Sequence, residues 1–347
     1  MPQPLHASPA WFGSALTLLV LVAGVFYVKW DPYFHKALVV HASHSLGSSI
    51  LRVGSPSRVS FAAAWSYAFT YGKDIWTALI VGIVAGGAVQ TMLPKRLVFN
   101  WLGKAGIHAH LRAGMLAVPS MMCTCCSAPL VVSMRRQHAS LPASLTYWLG
   151  NPLLNPATIV FAAFVLSWQW ALLRLGAGLA LVAVVALMSR RWAGETATHQ
   201  FDISDVESPV GTIAGMLGSW AKSSGRLALW VFPEWAVIAL GLGAVRTWLF
   251  PLGAHPLAFG LLALIGLALA GTIFVIPTAG EIPIVQALLS TGSAPGLAGA
   301  LLIALPAISL PSMVMTRLAF PTRILIFTAG VVAIMAVFTG LFTQWLF

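Results

Sequence analysis

Three cysteines lie within four positions of the chain, in the run Cys123-Thr124-Cys125-Cys126. An odd number of cysteines spaced this tightly does not suit a disulfide framework, because joining neighbouring cysteines gives a strained ring. Thiolates prefer soft, polarisable partners such as Cu(I), zinc or trivalent arsenic. A monosubstituted arsenic(III) compound has two exchangeable positions, so two thiols can hold it and a third could accept it during transfer. The run therefore predicts a soft-metalloid site formed by Cys123, Cys125 and Cys126.

Two prolines, Pro119 and Pro129, bracket this cysteine segment. Proline removes a backbone donor and disfavours helix in the preceding residue, so the centre of the segment is expected to be unwound. A helical arm over 107–118 would cover only about 18 Å, which is too short to cross a membrane. Basic residues both precede and follow the segment, which indicates that both of its ends are cytoplasmic. We therefore predict a re-entrant hairpin rather than a broken crossing, with Thr124, Ser127 and Pro129 at the substrate site beside the thiols.

Within the motif, the adjacent pair Cys125 and Cys126 is expected to supply the principal ligands, with Cys123 auxiliary. This pair lies nearest the end that is broken by proline, where a helix is least able to hide it.

Only two carboxylates, Glu234 and Glu281, lie inside apolar sequence. A carboxylate at membrane depth costs on the order of 3 kcal/mol, so each is a functional candidate by default. Glu281 is predicted to bind substrate and to accept and release a proton. Glu234 is either a second proton-coupling residue or a member of an interfacial ion pair with Arg226 or Arg246.

The chain also resembles itself when it is shifted by 154 positions. The shift pairs Thr124 with Thr278, Ser127 with Glu281, Pro129 with Pro283 and Pro152 with Pro306. Prolines recurring at the same spacing in two interrupted apolar segments indicate a duplication. Thr278 and Glu281 are therefore expected to face the cysteine segment.

Asn151 and Asn155 follow the first hairpin and are four residues apart, on one helical face if the helix persists. In a membrane, such amides join helices or line a polar path. Both are predicted to contribute to the substrate site.

The composition requires a membrane. The 347 residues are 59% apolar and 8% charged, with a mean hydropathy of +0.89, which excludes an ordinary soluble enzyme or a disordered chain. Apolar stretches near the ~20 residues needed to cross a bilayer recur along the chain. The excess of Lys and Arg, 19 against 8 acidic residues, lies mainly in short connections that face anionic lipid, so nucleic acid is not expected as a partner.

These elements combine into an all-α polytopic membrane protein with two inverted repeats. Each repeat is predicted to have three transmembrane helices and one broken or re-entrant hairpin, and an N-terminal transmembrane helix precedes both. Inverted repeats whose broken elements meet near the midplane are a recurring transporter plan. The predicted division is an N-terminal anchor and polar connection over 1–71, repeat 1 over 72–190, a hydrophilic linker over 191–225, and repeat 2 over 226–347.

Three motifs carry a resemblance to a known family. Cys-Thr-Cys-Cys-Ser-Ala-Pro from Cys123, Arg135-Arg136, and Gly-Asn-Pro-Leu-Leu-Asn-Pro-Ala-Thr from Gly150 resemble the predicted permease family that includes the YraQ-type permeases and the organoarsenical efflux permeases. Ile282-Pro283 and the segment 305–309 are similar to that family's C-terminal half. The resemblance covers roughly 71–347. It implies a multi-pass secondary permease of the cytoplasmic (inner) membrane, with trivalent organoarsenicals as the best-known substrate class.

The leading interpretation is a proton-coupled efflux permease for a soft, thiol-reactive small molecule, without enzymatic activity or a cofactor. One alternative is an uptake permease or channel for a small sulfur-containing or other anion, held at the N-termini of broken helices. Another alternative is a transmembrane thiol oxidoreductase. That class needs a redox partner thiol in each half, and Cys125 and Cys126 align with Ala279 and Gly280 in the second repeat.

Overall fold

The computed structural model describes residues 10–52, 61–103, 106–192, 213–250, 258 and 260–347, and these ranges are helical without any strand. Seven helices in them are long and apolar enough to cross a membrane: Gly13–Ser43, Phe61–Met92, Leu141–Val165, Trp168–Ser189, Ile213–Arg246, Pro295–Thr316 and Thr322–Leu346. The predicted all-α polytopic class is therefore confirmed.

Fifteen α-helices are named here in chain order. They are α1 (Ala10–Val25), α2 (Asp31–Ser43), α3 (Phe61–Met92), α4 (Lys95–Val98), α5 (Ile107–Ser120), α6 (Thr124–Arg136), α7 (Leu141–Leu153), α8 (Pro156–Val165), α9 (Trp168–Ser189), α10 (Ile213–Leu249), α11 (Leu261–Ile273), α12 (Glu281–Ser290), α13 (Pro295–Ala307), α14 (Leu310–Thr316) and α15 (Thr322–Leu346). A π-helical turn, Phe26–Trp30, joins α1 to α2 without a break in the helix.

The N-terminal region differs from the prediction. A polar connection was expected over 31–71, but α2 continues the first helix to Ser43 and α3 already begins at Phe61. Asp31 and His35 are exposed and approach to 3.6 Å one turn apart, but Phe34, Leu38 and Val39 are exposed as well, and Val40 is buried. The polar residues over 31–43 are therefore part of the first long helix.

The predicted hairpin is present. α5 and α6 have 14 and 13 residues, so each arm is about 20 Å long. The backbone N–H of Ser140, just after the hairpin, donates to the carbonyl of Leu102, just before it, at 2.8 Å. At the other end, the tip residue Met122 donates its backbone N–H to Asn151 Oδ1, in the middle of the span Leu141–Val165. Both ends of the hairpin therefore lie together, and its tip stops part-way along a crossing helix.

Small residues let the hairpin approach α3 closely. A Cβ on Gly82 would collide with the carbonyl oxygen of Cys126, and one on Gly86 would lie 3.0 Å from the carbonyl of Pro129. The Gly82–Gly86 spacing is thus a close-packing motif between α3 and α6.

The two halves share one plan of elements. Helices begin 154 positions apart at four places: 107 and 261, 141 and 295, 156 and 310, and 168 and 322. The breaks α7–α8 and α13–α14 also coincide, because α7 ends at Leu153 and α13 at Ala307. These bounds support the duplication, while the inverted orientation stays a prediction.

The predicted linker over 191–225 is only partly within the described residues, since 193–212 lie outside them. The last part of the predicted linker is helical, because α10 begins at Ile213. The division of the chain at these boundaries stays a prediction.

Candidate functional site

Residues from both halves line a cavity of about 20 Å³. A water molecule needs roughly 10–15 Å³ by this measure, so the cavity has room for little more than one. The lining side chains are Cys123, Thr124, Pro152, Thr158, Arg174, Ile276, Pro277, Thr278, Ala279, Glu281, Leu305, Pro306 and Ser309. The tip of the first hairpin (121–123, the first tip) therefore meets the segment 274–280 between α11 and α12 (the second tip) at this small cavity, as the sequence predicted.

The cysteines divide into a pair and a single residue. Cys123 is the N-cap of α6, where its sulfur accepts a hydrogen bond from the backbone N–H of Cys126 at 3.4 Å. The two sulfurs are 2.7 Å apart, because residues three apart lie on the same face of a helix. Cys125 points elsewhere, with its sulfur 3.5 Å from Ser309 Oγ in the second half. The thiols that lie together are thus Cys123 and Cys126, rather than the adjacent pair that the sequence favoured.

All three cysteines are buried, and none of them forms a disulfide. Within the part of the chain that the structure describes, no three His, Cys, Asp or Glu side chains converge in an arrangement that could hold a metal ion. The three thiols thus do not converge in this conformation, and the two sulfurs in contact are those of Cys123 and Cys126.

Glu281 begins α12 and forms a buried ion pair that the sequence analysis missed. Its Oε1 lies 2.7 Å from Nη1 of Arg174 in α9, and the side chains are 1% and 0% exposed. The Arg174 guanidinium also donates to the carbonyls of Leu302, at 3.3 Å, and Pro152, at 3.0 Å. The pair thus ties together the two broken helices α7 and α13. A signal for Arg174 was available, because an arginine inside an apolar span is a functional candidate by itself.

Polar atoms of this pair remain unsatisfied. Among the described residues, neither Oε2 of Glu281 nor Nε of Arg174 has a hydrogen-bond partner. Buried polar atoms without partners are rare in native proteins, and they mark sites of unassigned water, ligand binding or catalysis. A carboxylate oxygen and a guanidinium N–H are therefore available to a polar ligand or to water at the cavity.

A second buried cation, Lys29, also contacts the second tip. Lys29 lies in the π-helical turn and is 5% exposed. Its Nζ lies 3.2 Å from Thr278 Oγ1 and 3.3 Å from the hydroxyl of Tyr33. The sequence analysis assigned Lys29 no role, so these contacts were missed.

Four predicted site residues line the cavity: Cys123, Thr124, Thr278 and Glu281. The other predicted residues are not in the cavity lining and are mostly buried behind it. Ser127 donates to the carbonyl of Thr124 at 3.2 Å, and the carbonyl of Pro129 accepts from Ser133 at 2.8 Å. The hydrogen bonds of these groups are formed within α6, so direct binding of substrate by Ser127 and Pro129 stays a prediction.

The two asparagines do not share one helical face, because the helix breaks between them. Asn151 Nδ2 donates to the carbonyl of Tyr147 at 2.8 Å, and Asn151 Oδ1 holds the hairpin tip as described above. Asn155 is the N-cap of α8 and accepts from the backbone N–H of Ala157 at 3.0 Å. Both amides position the elements around the cavity.

Glu234 lies away from the cavity. Its Oε1 is 2.5 Å from Nη2 of Arg317, whose side chain is 54% exposed. The expected partners Arg226 and Arg246 were wrong, since Arg317 is brought in from 83 positions away and Arg246 instead donates to the carbonyl of Ala63. No local spacing could indicate this pairing.

Comparisons with known proteins agree with this architecture. The ArsP_1 family, described as a predicted permease, matches residues 61–345. UPF0718 protein YraQ of Escherichia coli (strain K12) is 40% identical over 331 residues, which is 95% of this chain and 94% of that protein. No solved structure gives a significant match. The family model matches most of this chain, and seven of its described helices are long and apolar enough to cross a membrane. The chain therefore belongs to the ArsP_1 family of predicted permeases.

Proposed function

We propose that this permease exports a soft, thiol-reactive small molecule, such as a trivalent organoarsenical, across the cytoplasmic (inner) membrane. The observation that carries the proposal is the pair of thiols, Cys123 and Cys126, whose sulfurs contact one another and of which Cys123 lines the cavity. Two thiols that converge in this way suit a metalloid with two exchangeable positions.

Binding of methylarsenite is a balanced exchange of ligands. Two As–S bonds form and two As–OH bonds break, and each hydroxide leaves as water with the proton of one thiol. Arsenic stays trivalent, so no oxidant or reductant is needed. Reversal of the same exchange releases the substrate on the other side of the membrane.

Transport requires the cavity to open, because about 20 Å³ is far too small for an organoarsenical. In many transporters, broken helices that meet at mid-depth form the substrate site, and one repeat moves against the other around that site. In this chain the breaks α7–α8 and α13–α14 are bridged by the Arg174 hydrogen bonds to Pro152 and Leu302. Protonation of Glu281 would remove its attraction for Arg174 and loosen this bridge, which would couple a proton to the opening.

We also propose that the two repeats are inverted. Arg135, at the end of α6, donates to the carbonyl of Ala319 at 3.2 Å. The end of α6 adjoins the start of α7, whereas Ala319 follows the end of α14. The span Leu141–Val165 thus begins on the side where Pro295–Thr316 ends, which supports opposite orientations. The positive-inside rule makes this arginine-rich side cytoplasmic.

Membrane vesicles test the proposal. Everted vesicles containing the protein are expected to accumulate methylarsenite when their interior is acidic, and right-side-in vesicles are not. The double variant Cys123→Ser/Cys126→Ser should lose this uptake at an unchanged protein level, while Cys125→Ser, as the matched control, should keep most of it. Full uptake by the double variant would contradict the thiol site.

A second candidate function is transport of a small anion, for instance an oxyanion of sulfur. One observation favours it: the buried cation Arg174 lines the cavity together with the single carboxylate Glu281, and a second buried cation, Lys29, bonds the cavity residue Thr278. Uptake of thiosulfate by the double cysteine variant, together with absent methylarsenite transport by the wild type, would favour this candidate.

A further inference from the structure

The side chain of Lys29 is buried, whereas a lysine side chain ordinarily extends to water. Its neighbours Phe26 and Tyr27 are exposed on the outer face of the same helix, whereas Lys29 turns inward and is only 5% exposed. Burial of a charge costs several kcal/mol unless a partner compensates it. The partners seen are neutral: the hydroxyls of Thr278 and Tyr33, and the Tyr33 ring, whose centroid is 5.1 Å from Nζ. Within the described ranges, no carboxylate forms an ion pair with Lys29.

The local backbone directs this side chain inward. The π-helical turn Phe26–Trp30 takes more residues per turn than an α-helix, and such turns recur at functional sites. One residue in an α-helix corresponds to about 100° of rotation, so the turn changes which residues face the protein. The indole N–H of Trp30 then donates to the carbonyl of Pro119 at 2.9 Å, which fixes the first helix to the end of α5.

This fixed helix brings the ammonium to the second tip, where Nζ lies 3.2 Å from Thr278 Oγ1. Thr278 and Cys123 line the same cavity, so one hydrogen-bonded side chain separates the ammonium from the cavity that Cys123 also lines. Negative charge that develops on a thiol sulfur as an As–S bond forms would therefore lie near a buried cation that has no carboxylate partner among the described residues.

We infer that Lys29 is the counter-cation of the Cys123–Cys126 site and a positioning residue for the arsenic–thiol exchange. The thiolate is the form of cysteine that attacks and ligates soft centres, and a neighbouring ammonium stabilises it while the As–S bond forms. This inference rests on the proposed function. It also makes the first helix part of the transport site, although the matched family segment begins only at residue 61.

Equilibrium binding of phenylarsine oxide to the purified full-length protein tests the role of this charge. Lys29→Met should weaken binding at least tenfold, whereas Lys29→Arg, which keeps the charge, should stay within threefold of the wild type. Lys36→Met removes an exposed lysine of α2 and serves as the control, with unchanged binding expected. Wild-type binding in Lys29→Met would overturn the inference. An equal loss in the arginine variant would do so too, because the residue would then act only through shape.

A second measurement separates this inference from the proposed function. In a Cys125→Ser/Cys126→Ser background, Cys123 is modified with an anionic and with a cationic methanethiosulfonate of similar size. The ratio of the anionic to the cationic rate should fall at least fivefold in Lys29→Met and should be kept in Lys29→Arg. If the wild type fails to bind phenylarsine oxide, the proposed function fails while this ratio still tests Lys29. An unchanged ratio, or no modification by either reagent, would overturn the inference.

Discussion

The two hairpin tips occupy matching places in the two halves of the molecule but carry different chemistry. At the first tip, Cys123 and Cys126 contact one another, and the hydroxyl of Ser127 donates to the carbonyl of Thr124 within the same helix, α6. At the second tip, Glu281 reaches across to Arg174 in the other half and keeps one carboxylate oxygen without a partner among the described residues. The two halves thus carry different side chains at matching places, a pair of thiols in one and a buried ion pair in the other.

This difference teaches that the two halves share the place of a tip and differ in the side chains that the tip carries. Both tips do share one backbone feature, a residue other than glycine in the left-handed region. Met121 has φ 49° and Ala279 has φ 68°. Such conformations cost of order 1 kcal/mol each and are kept where the surrounding structure requires them. The strained residue stands at a different position in each tip, because the shift of 154 pairs Met121 with Val275 and Ala279 with Cys125.

The largest effects on binding and transport are expected from single substitutions at the two tips. Cys123→Ser removes one of two ligands and should weaken phenylarsine oxide binding at least 100-fold. Glu281→Gln keeps an oxygen at the same place but cannot titrate, so binding should stay within threefold while proton-driven transport is lost. Binding by titration and uptake into vesicles at several pH values measure the two effects. Loss of both functions in both variants would show that the tips act as one unit.

The charge pair at the second tip predicts the next effect. Arg174→Met leaves Glu281 buried without its cation and should cost about 3–5 kcal/mol of stability. The double variant Arg174→Met/Glu281→Gln removes both charges and should recover most of that loss. Thermal unfolding in detergent provides the comparison. Equal losses in the single and double variants would mean that Arg174 acts mainly through its hydrogen bonds to the two carbonyls.

The packing behind the first tip predicts a smaller effect. Gly82→Ala places a methyl group against the Cys126 carbonyl, and overpacking of this kind costs about 1–3 kcal/mol. The shift of α6 should also change the rate at which Cys126 is alkylated. Gly266→Ala in α11 is the control, because a Cβ there meets nothing within 4 Å. Equal stability of the two alanine variants would contradict the close approach of α3 and α6.

The smallest effect is expected away from both tips. Glu234 and Arg317 form a partly exposed pair, and such pairs contribute about 0–1 kcal/mol. Glu234→Gln should leave transport and its pH dependence within twofold of the wild type. A loss of proton coupling in this variant would restore Glu234 to the proton path that the sequence first suggested.

Much of the fold could be predicted because it depends on local chemistry. Apolar length fixed the crossing helices, and prolines with flanking arginines fixed the hairpin. The Gly82–Gly86 spacing also described a real helix contact. Each of these signals is contained in a short stretch of sequence, so one sequence is enough to find it.

The site was harder because it depends on where helices begin and on what crosses between them. Cys125 and Cys126 are adjacent in sequence, but adjacent helical residues point about 100° apart, so the partner of Cys126 is Cys123. Averaging hydropathy over a span hides single charges such as Arg174 and Lys29. Their partners, Glu281 and Thr278, lie more than 100 positions away, and no pattern in one sequence links them.

The hydrogen bond between Leu102 and Ser140 bears on how the chain is made in the cell. It joins the ends of a hairpin whose arms are each about 20 Å long, and α5 packs along α7 through His110, which contacts Thr146 at 3.0 Å. When α6 has been synthesised, neither Ser140 nor α7 has yet been made. The contacts that hold the two ends of the hairpin together therefore form only after residues 140–153 have been synthesised.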